Sequence, residues 1–155
     1  MAIAFVGTAS NSSTLDNQLT MAVDKHASTV TGNLMLCAIT YTYTGSGVPA
    51  ITLTGWTEIA AYHNEGISGD SARGRMRLFY RIMDALDTTW VATVADVDGY
   101  ISCTASYSGV DATRPILHVY TQATNAGGTA ITAPTLRNEN QNAWWVYVGG
   151  TTNAG

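Results

Sequence analysis

Short segments in which hydrophobic and polar residues alternate dominate the chain, and almost none of them has the 3.6-residue period of a helix. They are rich in β-branched and aromatic residues and are separated by clusters of Gly, Asn, Asp and Pro. This pattern predicts a series of short strands. The clear strands are predicted at residues 33–44, 56–63, 74–83, 89–95, 99–107, 129–136 and 143–148, with weaker ones at 3–7, 19–23 and 116–120.

Three of these strands each have one apolar face, because alternate residues of a strand point to opposite sides. In residues 33–44 this face comprises Met35, Cys37, Ile39, Tyr41 and Tyr43. In residues 74–83 it comprises Met76, Leu78, Tyr80 and Ile82. In residues 99–107 it comprises Ile101, Cys103, Ala105 and Tyr107, against Ser102, Thr104 and Ser106. Two sheets packed through these faces would bury all three sets, which predicts an all-β fold, an antiparallel β-sandwich of jelly-roll type.

Two details refine this expectation. Leu34 and Leu36 interrupt the alternation and predict burial on both sides at the start of their strand. The predicted strand at 143–148 is followed by a glycine-rich turn with no return strand. We therefore expect one domain over residues 1–155, in which the chain is a fragment or the C-terminal edge is completed by another subunit.

The composition argues against several classes of function. Of the 155 residues, 46% are hydrophobic and only 12% are charged, the net charge is −4, and Lys25 is the single lysine. Nucleic-acid binding is not expected, because it needs a basic surface. Membrane insertion is not expected either, because no apolar run approaches the roughly 20 residues that span a bilayer. The first seven residues lack the positive start of a secretory signal.

The sequence contains no recognisable set of catalytic residues. The segment Gly66–Gly69 does not match the elbow motif of a nucleophilic serine, and His26, His63 and His118 fall in unrelated segments. We expect a non-enzymatic protein with no cofactor and no metal. Residues 96–99 are better explained as a turn than as a calcium loop, although convergence of Asp84, Asp87, Asp96 and Asp98 stays open.

The two cysteines, Cys37 and Cys103, fall on predicted core faces, with Trp56 between them in sequence. This order is similar to the Cys–Trp–Cys arrangement of immunoglobulin domains, but Ile101 stands where their tyrosine is expected. The pattern leaves two interpretations open, a disulfide or two buried thiols.

The candidate interface residues are Arg75, Arg77, Arg81, Trp144 and Trp145. The three arginines alternate on one strand face, which favours ion pairs within the chain, with Glu58 and Asp70, over a salt bridge between subunits. The two tryptophans are adjacent on a predicted strand, so they face opposite sides, and one is expected in the core. The other tryptophan is a candidate for a subunit contact or for stacking on a sugar.

A family resemblance adds a functional expectation. The motifs that carry it are Gly32-Asn33-Leu34-Met35-Leu36, Gly55-Trp56-Thr57-Glu58, Leu78-Phe79-Tyr80-Arg81, Ile101-Ser102-Cys103, Tyr107-Ser108-Gly109-Val110-Asp111 and Pro115-Ile116. In this order, over roughly residues 32–116, the chain resembles β-sandwich virion structural proteins of tailed bacteriophages, although members continue with further strands where this sequence ends. The resemblance implies a capsid or tail role without catalytic residues.

The expected function is accordingly that of a capsid decoration (cement) protein located in the virion. Its expected partners are copies of itself, with a trimer matching a capsid's local threefold positions, and other virion structural proteins. The alternative is a tail-fibre or tail-tip module that binds a receptor or carbohydrate. Its candidate ligand-binding residues are Tyr62, Trp144 and Trp145, beside the polar loop at 64–73.

Overall fold

A computed structural model describes residues 2–15, 17–44, 49–64, 72–85, 90–116 and 146. In these residues the chain forms strands and no helix, so the predicted all-β class is confirmed. The strands are β1 (Ala4–Ser13), β2 (Gln18–Val23), β3 (Leu34–Thr44), β4 (Ile51–Leu53), β5 (Thr57–Asn64), β6 (Ala72–Ile82), β7 (Trp90–Val97) and β8 (Gly99–Ser108). Outside the described residues lie the strand predicted at 129–136, all but Val146 of the one at 143–148, and all but the first residue of the one at 116–120.

The strands form two antiparallel sheets of unequal size. The large sheet has five strands in the order β1-β8-β3-β6-β5, and the small sheet has three in the order β2-β7-β4. The chain passes from the small sheet to the large one between β7 and β8, at the turn predicted at residues 96–99. There the backbone N–H of Asp98 donates to the carbonyl of Thr42, at 2.9 Å. The two sheets form the expected β-sandwich.

The core between the sheets is built around one face of β3. Its alternate residues Met35, Cys37, Ile39, Tyr41 and Tyr43 are all 0–1% exposed. The last four of them pack with side chains that include Met21 and Val23 of β2 and Ala92 and Val94 of β7. The predicted inner face of β3 is therefore confirmed, and each buried large side chain contributes about 1.5–3 kcal/mol through loss of water contact.

The inner faces predicted for β6 and β8 are wrong. Residues opposite each other in neighbouring strands share a face, and Leu78 and Cys103 both lie opposite Ala38, on the outer side of β3. The same register carries the other residues of the two predicted apolar faces, Met76, Tyr80, Ile82, Ile101, Ala105 and Tyr107, to the outer face of the large sheet. Alternation defines two faces of a strand, but only the pairing with β3 decides which one meets the small sheet.

The outer face gathers a second apolar cluster, which we call the outer cluster. Its buried members are Leu34, Leu36 and Tyr107, with half-buried Ile3, Ile59, Tyr80, Ile82, Ala105, Val110 and Ile116 packed against them. Leu34 is 5% and Leu36 is 7% exposed, so the predicted burial on both sides at the start of β3 is confirmed.

The inner face of β8 is lined with hydroxyl groups. Ser102, Thr104 and Ser106, which we call the hydroxyl row, are 0–2% exposed. Ser102 Oγ donates to the carbonyl of Ala22 at 2.6 Å, and Thr104 Oγ1 donates to that of Asp24 at 2.7 Å. Ser106 Oγ bonds to Thr29 Oγ1 at 2.8 Å. Every member has a partner, as burial of a hydroxyl requires, and together they hold residues 22–29 against the large sheet.

The two cysteines lie on opposite faces of the large sheet. Cys37 is buried in the core and Cys103 is exposed on the outer side, and both are free thiols. The expected core position of Cys103 is wrong because β8 has the reversed orientation described above. Of the two interpretations left open for the cysteines, the disulfide does not form. Burial, with a smaller contribution from Cys103, raises the pKa of the Cys37 thiol from 9.0 to about 12.

Candidate functional site

The predicted interface arginines lie on the inner face of β6. Arg75, Arg77 and Arg81 pair across the strand with Tyr41, Ile39 and Met35, all of which are core residues. The prediction that the apolar face of residues 74–83 turns inward, with these arginines on the opposite face, is therefore wrong. Long arginine stems can cover apolar surface while their charged ends reach toward its margin, which explains how a strand with three inward arginines is accommodated in the sandwich.

Arg77 has a carboxylate partner within the chain. Its Nη1 donates to both carboxylate oxygens of Glu58 in β5, at 3.0 and 2.9 Å. Burial disfavours the charged guanidinium, but Tyr41 and Glu58 outweigh that effect and raise the pKa of Arg77 above its ordinary value. The predicted pairing with Glu58 is confirmed, whereas Asp70, the other predicted partner, lies outside the described residues.

Arg81 is held by a backbone carbonyl, a carboxylate and an aromatic ring. Its Nη1 donates to the carbonyl of Gly55 at 2.9 Å, and its Nη2 lies 3.6 Å from the carboxylate of Asp84. The guanidinium also lies over the ring of Trp90, 5.9 Å from the centroid. Gly55 has a φ of 80°, and a Cβ there would collide with Arg81 Nη1, so this contact requires glycine.

Arg75 differs from the other two arginines. Its side chain is buried, with 7% of the residue exposed, and the guanidinium lies 5.8 Å from the centroid of the Tyr43 ring. Its Nε is buried and has no hydrogen-bond partner. Among the described residues no carboxylate forms an ion pair with Arg75. Arg77 and Arg81 therefore have anionic neighbours, whereas Arg75 has none among the residues that the structure describes.

Of the remaining predicted site residues, the structure describes only the backbone position of Tyr62. Tyr62 lies in β5 opposite Met76, whereas Arg75 lies opposite His63. Trp144 and Trp145 lie outside the described residues, as do residues 65–71 of the predicted loop. The proposed sugar-binding set of Tyr62, Trp144 and Trp145 therefore stays a prediction.

A second feature was missed by the sequence analysis and lies along the opposite edge of the large sheet. Phe5 of β1 and Ile101 of β8 are each 54% exposed, although Phe5 packs edge-on against Tyr107 of the outer cluster with ring centroids 5.8 Å apart. Among the described strands β1 is the edge of this sheet, and its ten residues include no charge and no proline. The signal that could have found it is the uncharged stretch Ala4–Ser13, whose Ser and Asn residues obscured the strand pattern.

In the described ranges no group of three or more His, Cys, Asp and Glu side chains is arranged to hold a metal ion. Asp87 and the side chain of Asp96, two of the four acids considered from sequence, are not among the described positions. No helix in the described part of the chain is long and apolar enough to cross a membrane.

Comparisons with protein-family models, curated proteins and solved structures find no match to this chain. Its function is therefore argued from the surfaces and side chains described above.

Proposed function

We propose that the chain is a non-enzymatic structural protein of a tailed-bacteriophage virion and acts as a capsid decoration protein through contacts between subunits. The observation that carries this proposal is a pair of exposed apolar side chains beside the uncharged strand β1, Phe5 at one end of the β1–β8 pair, opposite Tyr107, and Ile101 at the other, opposite Ser12. The motif resemblance described above supplies the virion context.

Edge strands normally carry features that discourage pairing with other chains, because their unpaired N–H and C=O groups are open to any extended partner. β5, at the other end of the large sheet among the strands that the structure describes, contains Glu58 and a β-bulge between Glu58 and Ala60. β1 has a bulge between Phe5 and Gly7, but its polar side chains are Thr, Ser and Asn alone. Such neutral groups can be covered by a neighbour without the cost of burying charges.

The mechanism of decoration would be added contact area that bridges neighbouring capsid subunits. A stable, specific interface buries about 1,600 Å² in total, so Phe5 and Ile101 would be two separate apolar contacts within it, with the Ser- and Thr-rich edge of β1 as the polar part between them. The partners are copies of this chain, in an oligomer such as a trimer, together with capsid subunits.

Lysine substitution of the exposed apolar residues tests this proposal. We expect Phe5→Lys and Ile101→Lys to reduce both self-association in sedimentation velocity and occupancy on purified phage particles by at least tenfold, because a desolvated lysine is costly in an interface. Folding should be unaffected, since both side chains are more than half exposed.

The matched control is Val91→Lys. Val91 is 56% exposed on a strand of the small sheet, so its substitution makes the same chemical change on another surface. It should leave association and occupancy unchanged. Equal behaviour of all three variants, or a wild-type chain that neither self-associates nor binds particles, would contradict the proposal.

A further inference from the structure

Arg75 is a buried arginine whose counter-charge is missing from the described part of the molecule. Burying a guanidinium removes it from water, and this is costly unless its donors and its charge find partners. The Tyr43 ring, 5.8 Å away, offers a cation–π contact but accepts no hydrogen bond from the buried Nε.

The two neighbouring arginines on the same face of β6 both have carboxylates close to their guanidinium groups. Arg77 binds both oxygens of a carboxylate, and Arg81 has a carboxylate at 3.6 Å. Glu58, the nearest acid described on β5, is already bound to Arg77. The Nε of Arg77 is itself buried without a partner, so two unpartnered N–H groups lie two residues apart on one strand face. A planar guanidinium can donate two parallel hydrogen bonds to the two oxygens of a carboxylate. Among the anionic groups common in proteins, only phosphate matches it as well.

We infer that Arg75 is a binding site for a carboxylate that comes from outside the described sheets, as a soluble carboxylate or as an acidic side chain of a second copy of the chain. The chain has 11 Asp and Glu residues against 7 Lys and Arg, so a second copy presents an excess of carboxylates. The soluble source is independent of the proposed function, whereas the second-copy source rests on it.

Malonate, a small dicarboxylate, is the probe for the soluble source. Thermal unfolding is followed with malonate and with sodium chloride at equal ionic strength, so that general screening cancels. A ligand at ten times its dissociation constant should raise the Tm of the wild-type protein by about 3–6 °C. Arg75→Gln should abolish this shift. Arg114→Gln is the matched control, because it removes the same charge from an exposed position and should keep the full shift.

Arg75→Lys covers the case in which Arg75→Gln does not fold, as checked by far-ultraviolet circular dichroism. Lysine keeps the charge but loses the two-pronged donor geometry, so the malonate shift should fall to less than half. A shift in Arg75→Lys equal to that of the wild type would overturn the inference.

Sedimentation velocity over a range of protein concentrations tests the second-copy source. Arg75→Gln should weaken association by at least tenfold, and Arg114→Gln should not. If Phe5→Lys weakens association, but Arg75→Gln does not and malonate has no effect, the inference fails and the proposed function stands. If malonate raises the Tm in a way that depends on Arg75 while the protein stays monomeric, the inference stands and the proposed function fails.

An internal carboxylate is the remaining outcome, and it would also overturn the inference. In that case the wild-type protein would not respond to malonate, because the site would already be filled. Glu65→Gln or Asp70→Asn would then create a response that the wild type lacks.

Discussion

The inner faces of β6 and β8 both present polar side chains to the small sheet, yet they do so with different results. On β8 the hydroxyl row is fully buried, and each member is bonded to an atom of residues 22–29. On β6 the arginines keep two Nε atoms buried and unpartnered. A hydroxyl has a single proton to place, whereas a guanidinium has five N–H donors in a fixed geometry. Short polar side chains between the two sheets can therefore find a partner for each donor, whereas the arginines keep N–H donors without one.

The two faces also differ in how they contribute to the core. Phe79, between Arg77 and Arg81, is 3% exposed and packs with Cys37, which lies opposite it on β3. On the inner face of β6, the buried ring of Phe79 therefore lies between two charged side chains. The β8 inner face adds Tyr100 to the core, and the hydroxyl of this residue accepts the backbone N–H of Ala22 at 3.0 Å. Hydrophobic burial anchors β6, while hydrogen bonds supply much of the attachment of β8 to residues 22–29.

The largest effect should come from replacing the anchor of β6. Phe79→Ala is expected to reduce the free energy of unfolding by about 3–5 kcal/mol, because it removes a buried ring and leaves a cavity. Leu78→Ala, at the adjacent and half-buried position on the outer face, should cost about 1 kcal/mol. Urea denaturation of both variants measures the two values. The opposite order would mean that β6 packs with its other face toward the small sheet.

A smaller effect should follow from opening the hydroxyl row. Thr104→Val keeps the shape of the side chain but removes the donor to the Asp24 carbonyl, and we expect a loss of about 1–3 kcal/mol in the free energy of unfolding. The control is Thr8→Val, on the exposed outer side of the neighbouring strand β1, which should change stability by less than about 0.5 kcal/mol. Hydrogen exchange at Ala22, whose N–H donates to Tyr100, should also speed up in Thr104→Val alone. Equal stabilities for the two variants would show that the hydroxyl row does not hold the segment.

These two rows also show where sequence reasoning succeeds and where it stops. The sequence predicted β3, β6 and β8 to within about two residues at each end, since their alternation is strong, and the uniform apolar face of β3 identified the core side correctly. On β6 and β8 the more apolar face is the outer one, because it joins Leu34 and Leu36 in the outer cluster. Strand register is a long-range property, so no local pattern contains it.

The same limit applies to the candidate site and to the shorter elements. The ion pair of Arg77 with Glu58 could be predicted from complementary charge on neighbouring strands. The burial of Arg75 could not, because it depends on which side of β6 faces inward. β4 was missed because three residues, Ile51–Leu53, are too short to show a period. β1 was predicted to end at residue 7, whereas pairing with β8 extends it through polar residues to Ser13.

The smallest effect concerns the two thiols, which report on the two faces of the large sheet without disturbing either. An exposed thiol reacts with an aromatic disulfide reagent in the native protein and a buried one does not. We therefore expect one thiol to be labelled at pH 8, a result that Cys103→Ser abolishes and Cys37→Ser leaves intact. Labelling of Cys37 at the rate of Cys103 would contradict the assigned faces.

The raised pKa of Cys37 adds a dependence on pH with a definite sign. Below pH 9.0 both the folded and unfolded states keep the thiol proton, so the contribution to stability is complete. Between pH 9.0 and about 12 the unfolded state loses the proton while the folded state retains it, so stability falls with rising pH. By pH 10 the loss should be about 1 kcal/mol relative to pH 7.5. Cys37→Ser should lack this loss of stability at high pH, and Cys103→Ser should retain it, since only the thiol of Cys37 is buried in the core.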